Sequence, residues 1–213
     1  MLKKFVYLVL SILVSFNFSV MAEDVNISGS NNRSFKEDID YIVVAENKTT
    51  SPELREFFSF WCGHCFAMQS IYHDLAEHFK SQAKFYRNPV GMLGGEMGEE
   101  SVKAFAVASF LGIEDQYVNE LFVRIHERGE IPETNADFVE LFRFLGVPEN
   151  EYKKDIGSFP AITLVGKLND WTVKSKIEAV PEILVNGKYL AKMDNIETYE
   201  QFEDLLSYLL SLP

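Results

Sequence analysis

Cysteine is nearly absent from this sequence: Cys62 and Cys65 are its only two. A disulfide-stapled scaffold needs several bridges, so that class is excluded. So are a lipid-modified N-terminal cysteine and a zinc site built on two cysteine pairs, because a closed structural site takes four ligands. Positive charge is also scarce. Twenty Lys and Arg stand against 32 Asp and Glu, a formal net charge of −12, which disfavours nucleic acid and anionic membrane surfaces as partners. Internal repeats and low-complexity tracts are missing. The apolar run from Phe5 to Val14 gives way to Ser15, Asn17 and Ser19, whereas a spanning helix needs about 20 mostly apolar residues.

That run has the form of a removable leader. Lys3 and Lys4 supply a positive start, and Val20-Met21-Ala22 precedes a cut ahead of Glu23. A membrane anchor is the rival reading, and the interrupting polar residues count against it. A signal peptide over residues 1–22, cleaved after Ala22, implies export, a soluble mature chain and a compartment where disulfides persist. The loss of Lys3 and Lys4 makes the remaining chain still more acidic.

Residues Glu23 to Lys36 read as a loose leader, and Tyr41 to Val44 as a first strand. Leu54 to Trp61 is a near-continuous apolar run of strand length, which suggests burial on both faces of a sheet. Met68, Ile71, Tyr72, Leu75 and Phe79 then recur at helical spacing, so Cys62 and Cys65 sit where a strand passes into a helix. Lys84 to Val90 is a further strand, and its Pro89 favours an edge or a strand end. From Glu96 to Lys176 the apolar spacing is helical. Strand signals return at Glu182 to Val185, Asn186-Gly187 marks a hairpin, and a helix carrying Leu205, Leu206 and Leu209 follows. This order predicts an α/β, thioredoxin-like fold with an inserted all-helical subdomain. Its first part covers residues 23–92, the insertion 93–177 and the second part 178–213.

Two cysteines at i and i+3 on the first turn of a helix lie on one side, close enough to bridge or exchange. Unpaired N–H groups and the positive end of the helix dipole favour a thiolate on Cys62, and His64 adds a nearby donor. Stabilising the thiolate favours the reduced form and makes the disulfide oxidising. As a mere staple, a four-residue loop would contribute about 2 kcal/mol, less than a longer loop.

The stretch Glu56-Phe57-Phe58-Ser59-Phe60-Trp61-Cys62-Gly63-His64-Cys65-Phe66 resembles the active-site segment of the bacterial DsbA family of periplasmic thiol:disulfide oxidoreductases. Gly94-Gly95, the segment Ala104 to Asp115, Val180-Pro181 and Val185-Asn186-Gly187-Lys188-Tyr189 are similar to that family at corresponding places. The resemblance implies that Cys62 forms mixed disulfides with substrate, that Cys65 is the more buried resolving thiol and that His64 stabilises the Cys62 thiolate. It implies a cis Val180–Pro181 bond facing the motif, where substrate backbone pairs with Val180. It also implies reduced exported proteins as substrates, a membrane, quinone-linked DsbB-type reoxidant, a periplasmic location, a monomer, and no cofactor or metal.

Glu56 stands out on its own. Strand alternation places it with Leu54, Phe58 and Phe60 on an apolar surface leading to the motif, where desolvation would raise its pKa and suit it to proton transfer. The alternative is a strand-end carboxylate reaching solvent. Gly63 departs from the family, which most often has proline there; Cys-Gly-His-Cys is the motif of protein disulfide isomerase. Reference potentials of about −120 and −180 mV for the two classes differ by about 2.8 kcal/mol, so a weaker oxidant is expected. An isomerase or reductase, or a non-catalytic holdase, are the competing functions. His73, His78 and His126 read as surface residues, and Phe159 and Trp171 as packing within the helical segment.

Overall fold

A computed structural model describes residues 34–213; the expected signal peptide and its cleavage site lie outside the described residues. The strands β1 (Tyr41–Val43), β2 (Glu53–Phe58), β3 (Lys84–Pro89), β4 (Glu182–Val185) and β5 (Tyr189–Ala191) form one sheet in the order β1-β5-β4-β2-β3. β2 and β3 are parallel, and the other pairs are antiparallel. β3 is an edge strand that ends at Pro89, where a missing N–H costs the ladder nothing.

All six residues of β2 are buried, because both faces of this strand are covered. On one face Leu54 packs with Tyr72, Leu75 and Phe79 of α2 (Gln69–Phe79) and with Phe202, Leu205 and Leu209 of the C-terminal helix. On the other, Phe57 meets Leu184, Leu190 and Ile177, with Trp171 against them. Arg55 on that second face is buried beside Glu53 at 3.3 Å, its guanidinium 4.4 Å from the Trp171 ring and 4.6 Å from that of Tyr86. The strand ends at Phe58, three residues before the expected Trp61. Ser59 closes a turn instead: its carbonyl accepts the Cys62 N–H at 3.0 Å, and its hydroxyl accepts the Trp61 N–H at 3.3 Å.

The motif helix is two segments, α1 (Gly63–Ala67) and α2, joined at Met68 in a helical conformation. Between β3 and β4 the chain is helical, as its spacing implies: α3 (Gly95–Leu111), α4 (Glu114–Val123), a π-helical turn Arg124–Arg128, α5 (Asn135–Phe144), α6 (Glu149–Ile156) and α7 (Phe159–Lys174). These helices share one core with the motif, in which Phe58, Phe60 and Cys65 pack among Phe105, Tyr117, Phe122 and Phe142. Asn88 on β3 donates to the Leu168 carbonyl and the Thr172 hydroxyl, tying α7 to the sheet. Phe159 differs from its expected role: it opens α7 82% exposed, while Trp171 packs on the sheet. The last helix is α8 (Tyr199–Ser211), its buried stripe as the sequence implies.

Asn186 and Gly187 both have positive φ, 53° and 65°, and Lys188 N–H returns to the Val185 carbonyl, the type I′ geometry that Asn-Gly favours. Gly94 has φ +84°, and a Cβ there would stand 2.4 Å from the Trp61 ring. Trp61 is therefore held by a backbone that only glycine allows to come so close. Gly94→Ala is expected to lower stability by about 1–3 kcal/mol in urea unfolding, from the strained φ and the forced movement of Trp61.

Candidate active site

The buried strand delivers the chain to Ser59, the turn reverses it, and Cys62 becomes the residue that caps α1. Its φ and ψ, −94° and 107°, are extended, and its Sγ accepts the Cys65 backbone N–H at 3.0 Å. A cap normally carries a hydroxyl or carboxylate oxygen; here sulfur takes that place. Negative charge on this sulfur is therefore met by a peptide dipole that the fold has already oriented.

Cys62 and Cys65 form a disulfide, with their Cα atoms 5.2 Å apart. The two sulfurs are not equivalent. Cys62 retains 8% exposure and Cys65 none, so an incoming thiolate has access to the first. Opposite them, the Val180–Pro181 peptide bond is cis, and the Val180 carbonyl oxygen lies 3.6 Å from Cys62 Sγ. His64 is exposed on the first turn, at the rim of a groove it shares with Met68, Val180 and Pro181.

Glu56 is fully buried on β2. Gln69 Nε2 donates to its Oε1 at 3.3 Å and also to the Cys65 carbonyl at 3.4 Å, linking the carboxyl to the main chain of the motif. Oε2 has no hydrogen-bond partner. Burial pushes the Glu56 carboxyl from near 4.5 up to about 7, against the lowering influence of Arg87 and Gln69. Arg87 stands in register with Glu56 on β3, yet its guanidinium pairs with Asp115 and lies 3.7 Å from Glu114, both on α4. The cation that lowers the Glu56 carboxyl thus makes its ion pairs on α4.

All six residues singled out from the sequence, Cys62, Cys65, His64, Glu56, Val180 and Pro181, meet around this disulfide. Three others join them. Gln69 was merely one of the polar positions on a helix. Glu182, directly after Pro181, is a carboxylate at the head of an apolar strand; that mismatch was the signal to notice. His126 corrects its expected surface role: half-buried in the π-helical turn, it holds Nε2 2.8 Å from the Phe60 carbonyl oxygen and stacks on Phe66 at 5.0 Å and 11°. Nothing in the local pattern around His126 signals a contact 66 residues away. His78 lies 2.8 Å from Glu203 on α8, while His73 is exposed. Among the described residues there is no cluster suited to a metal ion, and no helix is long and apolar enough to cross a membrane.

A family model described as the DSBA-like thioredoxin domain matches residues 53–206, a span that holds the whole motif, the helical segment and the cis-proline loop. The thiol:disulfide interchange protein DsbA of Dickeya dadantii is 30% identical over 186 residues, covering 83% of this chain and 89% of its own. That of Escherichia coli K12 is 27% identical over 178 residues, covering 79% and 85%. Among solved structures, Proteus mirabilis DsbA, in a cysteine-to-serine form with a non-covalently bound peptide PWATCDS, aligns with a TM-score of 0.75 at 29% identity, covering 84% of this chain and 100% of that one. A second structure of the Proteus mirabilis protein gives 0.73 at 30% identity, covering 84% and 98%. With a capping sulfur, a buried partner sulfur and the Val180 carbonyl before the cis-proline set around one disulfide, the chain belongs to the DSBA-like thioredoxin family and is a thiol:disulfide oxidoreductase.

Proposed function

We propose that the chain is a periplasmic oxidase that passes its Cys62–Cys65 disulfide to reduced exported proteins. The observation that carries this reading is the Cys62 sulfur in the capping position, accepting the Cys65 N–H. A substrate thiolate attacks Cys62 Sγ; the S–S bond breaks, and its electron pair leaves on Cys65 while a mixed disulfide forms at Cys62. A second substrate thiolate then attacks the substrate sulfur of that bridge and releases Cys62 as a capped thiolate. The substrate is oxidised by two electrons and the enzyme is reduced by two. Burial of Cys65 keeps it as the leaving and resolving sulfur, His64 adds a donor beside Cys62, and the Val180 main chain pairs with the substrate strand. A membrane, quinone-linked partner of the DsbB type restores the disulfide, and the protein acts as a monomer.

Glu56 takes up the proton requirement of this cycle. Cys65 leaves as a thiolate in a fully buried place, where charge is costly. A carboxyl titrating at about 7 and hydrogen-bonded through Gln69 to the Cys65 main chain supplies and recovers a proton near neutral pH.

In cells that carry the protein, alkylation of the two thiols reads the direction of transfer. A pool that is mostly disulfide supports the oxidase, and a pool that is mostly reduced supports the isomerase or reductase instead.

Gly63 sets the strength of the oxidant. It is the first residue of α1, and a Cβ there meets nothing within 4 Å. Proline is favoured at this position, because the N–H it lacks has no intrahelical partner. Gly63→Pro is expected to fold normally and to raise the reduction potential from the neighbourhood of about −180 mV toward about −120 mV, read by equilibration with glutathione buffers.

Glu56→Gln gives two linked results. The folded protein holds the Glu56 proton more tightly than the unfolded chain does, so this contribution to stability is full below about pH 4.5 and is lost as pH rises through about 7. Urea unfolding of the oxidised protein at pH 5 and pH 8 should show a fall on the order of 3 kcal/mol from this residue. In the variant that fall is absent and the one from Glu182 remains, since its carboxyl is raised in the same direction. Exchange with a dithiol substrate near pH 7 should slow by about 100-fold in the variant.

A further inference from the structure

The groove beside the motif contains a group that the exchange chemistry leaves unused. It has a volume of about 510 Å³ and is lined by His64 and Met68 from the motif helices, by Val180, Pro181 and Glu182, and by Met193 beyond β5. Its apolar lining from Met68, Val180, Pro181 and Met193 is interrupted by Glu182, His64, Lys192 and Asp194. Glu182 follows the cis-proline directly and opens β4 opposite Phe57. Its Oε2 is buried without a hydrogen-bond partner.

A buried acceptor left unpaired is costly, and the cost is recovered when a donor arrives. The surrounding charges narrow what that donor is. Burial, and after it the negative charge of Glu178 on the loop before Pro181, pushes the Glu182 carboxyl up to about 7. Asp194 on the far side of the groove is a second anion, exposed at its rim. Lys192 is the one lysine or arginine along this lining, and its ammonium is spent on the Asp38 carbonyl at 2.7 Å. His64 stands at the rim beside the sulfurs. Across the sheet, Tyr72 and Glu56 supply no cation; the Tyr72 hydroxyl is raised first by burial and then by the nearness of Glu56 and Glu182. No ion pair to Glu182 exists among the described residues, and the protein as a whole is acidic. The site is therefore short of one positive charge, at the place where a chain crossing the Val180 carbonyl would lay its side chains.

We propose that Glu182 is a specificity-determining residue: its unpaired carboxyl receives the lysine or arginine side chain of a substrate that carries such a residue close to its reactive cysteine. The favoured substrates are then reduced polypeptides with a basic residue beside the thiol. This inference rests on the thiol–disulfide exchange reading of the same groove, and a suitable test separates the two.

The probe is a family of short reduced dithiol peptides, alike except for one residue placed in turn at each of the two positions on either side of a cysteine. That residue is lysine, norleucine or glutamate. Rates of oxidation by the disulfide form are measured by stopped flow for the native protein and for Glu182→Gln and Glu182→Ala. At one position lysine should exceed norleucine by about tenfold, with glutamate slowest. In both variants that ratio should fall to about one. A lysine-to-norleucine ratio near one at every position in the native protein would overturn the proposal, as would a ratio that survives both substitutions. If no peptide is oxidised although the Cys62–Cys65 disulfide is intact, the redox reading itself fails and the proposal falls with it.

Discussion

The hydrogen bond from the Cys65 N–H to the Cys62 sulfur is the interaction on which the rest of the structure turns. It requires a strand to stop at Phe58, a turn to reverse the chain within Ser59–Trp61, and a helix to begin at Gly63. Each requirement has its own support. β2 is fixed by burial on both faces, the turn by Ser59, and Trp61 by the close approach of Gly94. The helical segment matters here because it closes the apolar core around Phe58, Phe60 and Cys65, so that the inner sulfur is dry while the outer one keeps access. His126 adds a clamp from that segment, bonded to the main chain two residues before Cys62 and stacked on the ring just after Cys65.

Two carboxyls sit near the sulfurs, and both are costly as charges. Glu56 is held beneath the motif, its potential partner Arg87 drawn off by Glu114 and Asp115. Glu182 stands on the substrate side, after the cis-proline. Their environments push both carboxyls to about 7, but they face different tasks. One is linked through Gln69 to the sulfur that must leave, and the other opens on the groove. A fold that only needed stability would fill both places with apolar side chains, since replacing a buried charge by a well-packed apolar group is often neutral or stabilising.

Much of this was legible beforehand, for physical reasons that differ by residue. The mixed sheet followed from strand-length apolar runs, helical spacing and the Asn186-Gly187 turn, each a local signal. Glu56 stood out because a carboxylate in an apolar strand violates its own pattern, and Glu182 carries the same mark one residue beyond Pro181. The end of β2 was misplaced because Ser59-Phe60-Trp61 is as apolar as a strand; hydrogen bonding to Ser59, which hydropathy does not register, turns it. His126 and the Arg87 pairing could not be read at all, since their partners lie 66 and 28 residues away and depend on how the helices pack. Phe159 was expected inside because it is large and apolar, yet the first turn of α7 leaves it in solvent.

The backbone at the start of α1 stabilises negative charge on the Cys62 sulfur. The most direct test of this is the thiol pKa of Cys62, followed by thiolate absorbance in a Cys65→Ala form that cannot close the disulfide. A value below about 7 is expected. A value at or above the ordinary thiol value of about 8.5 would contradict it.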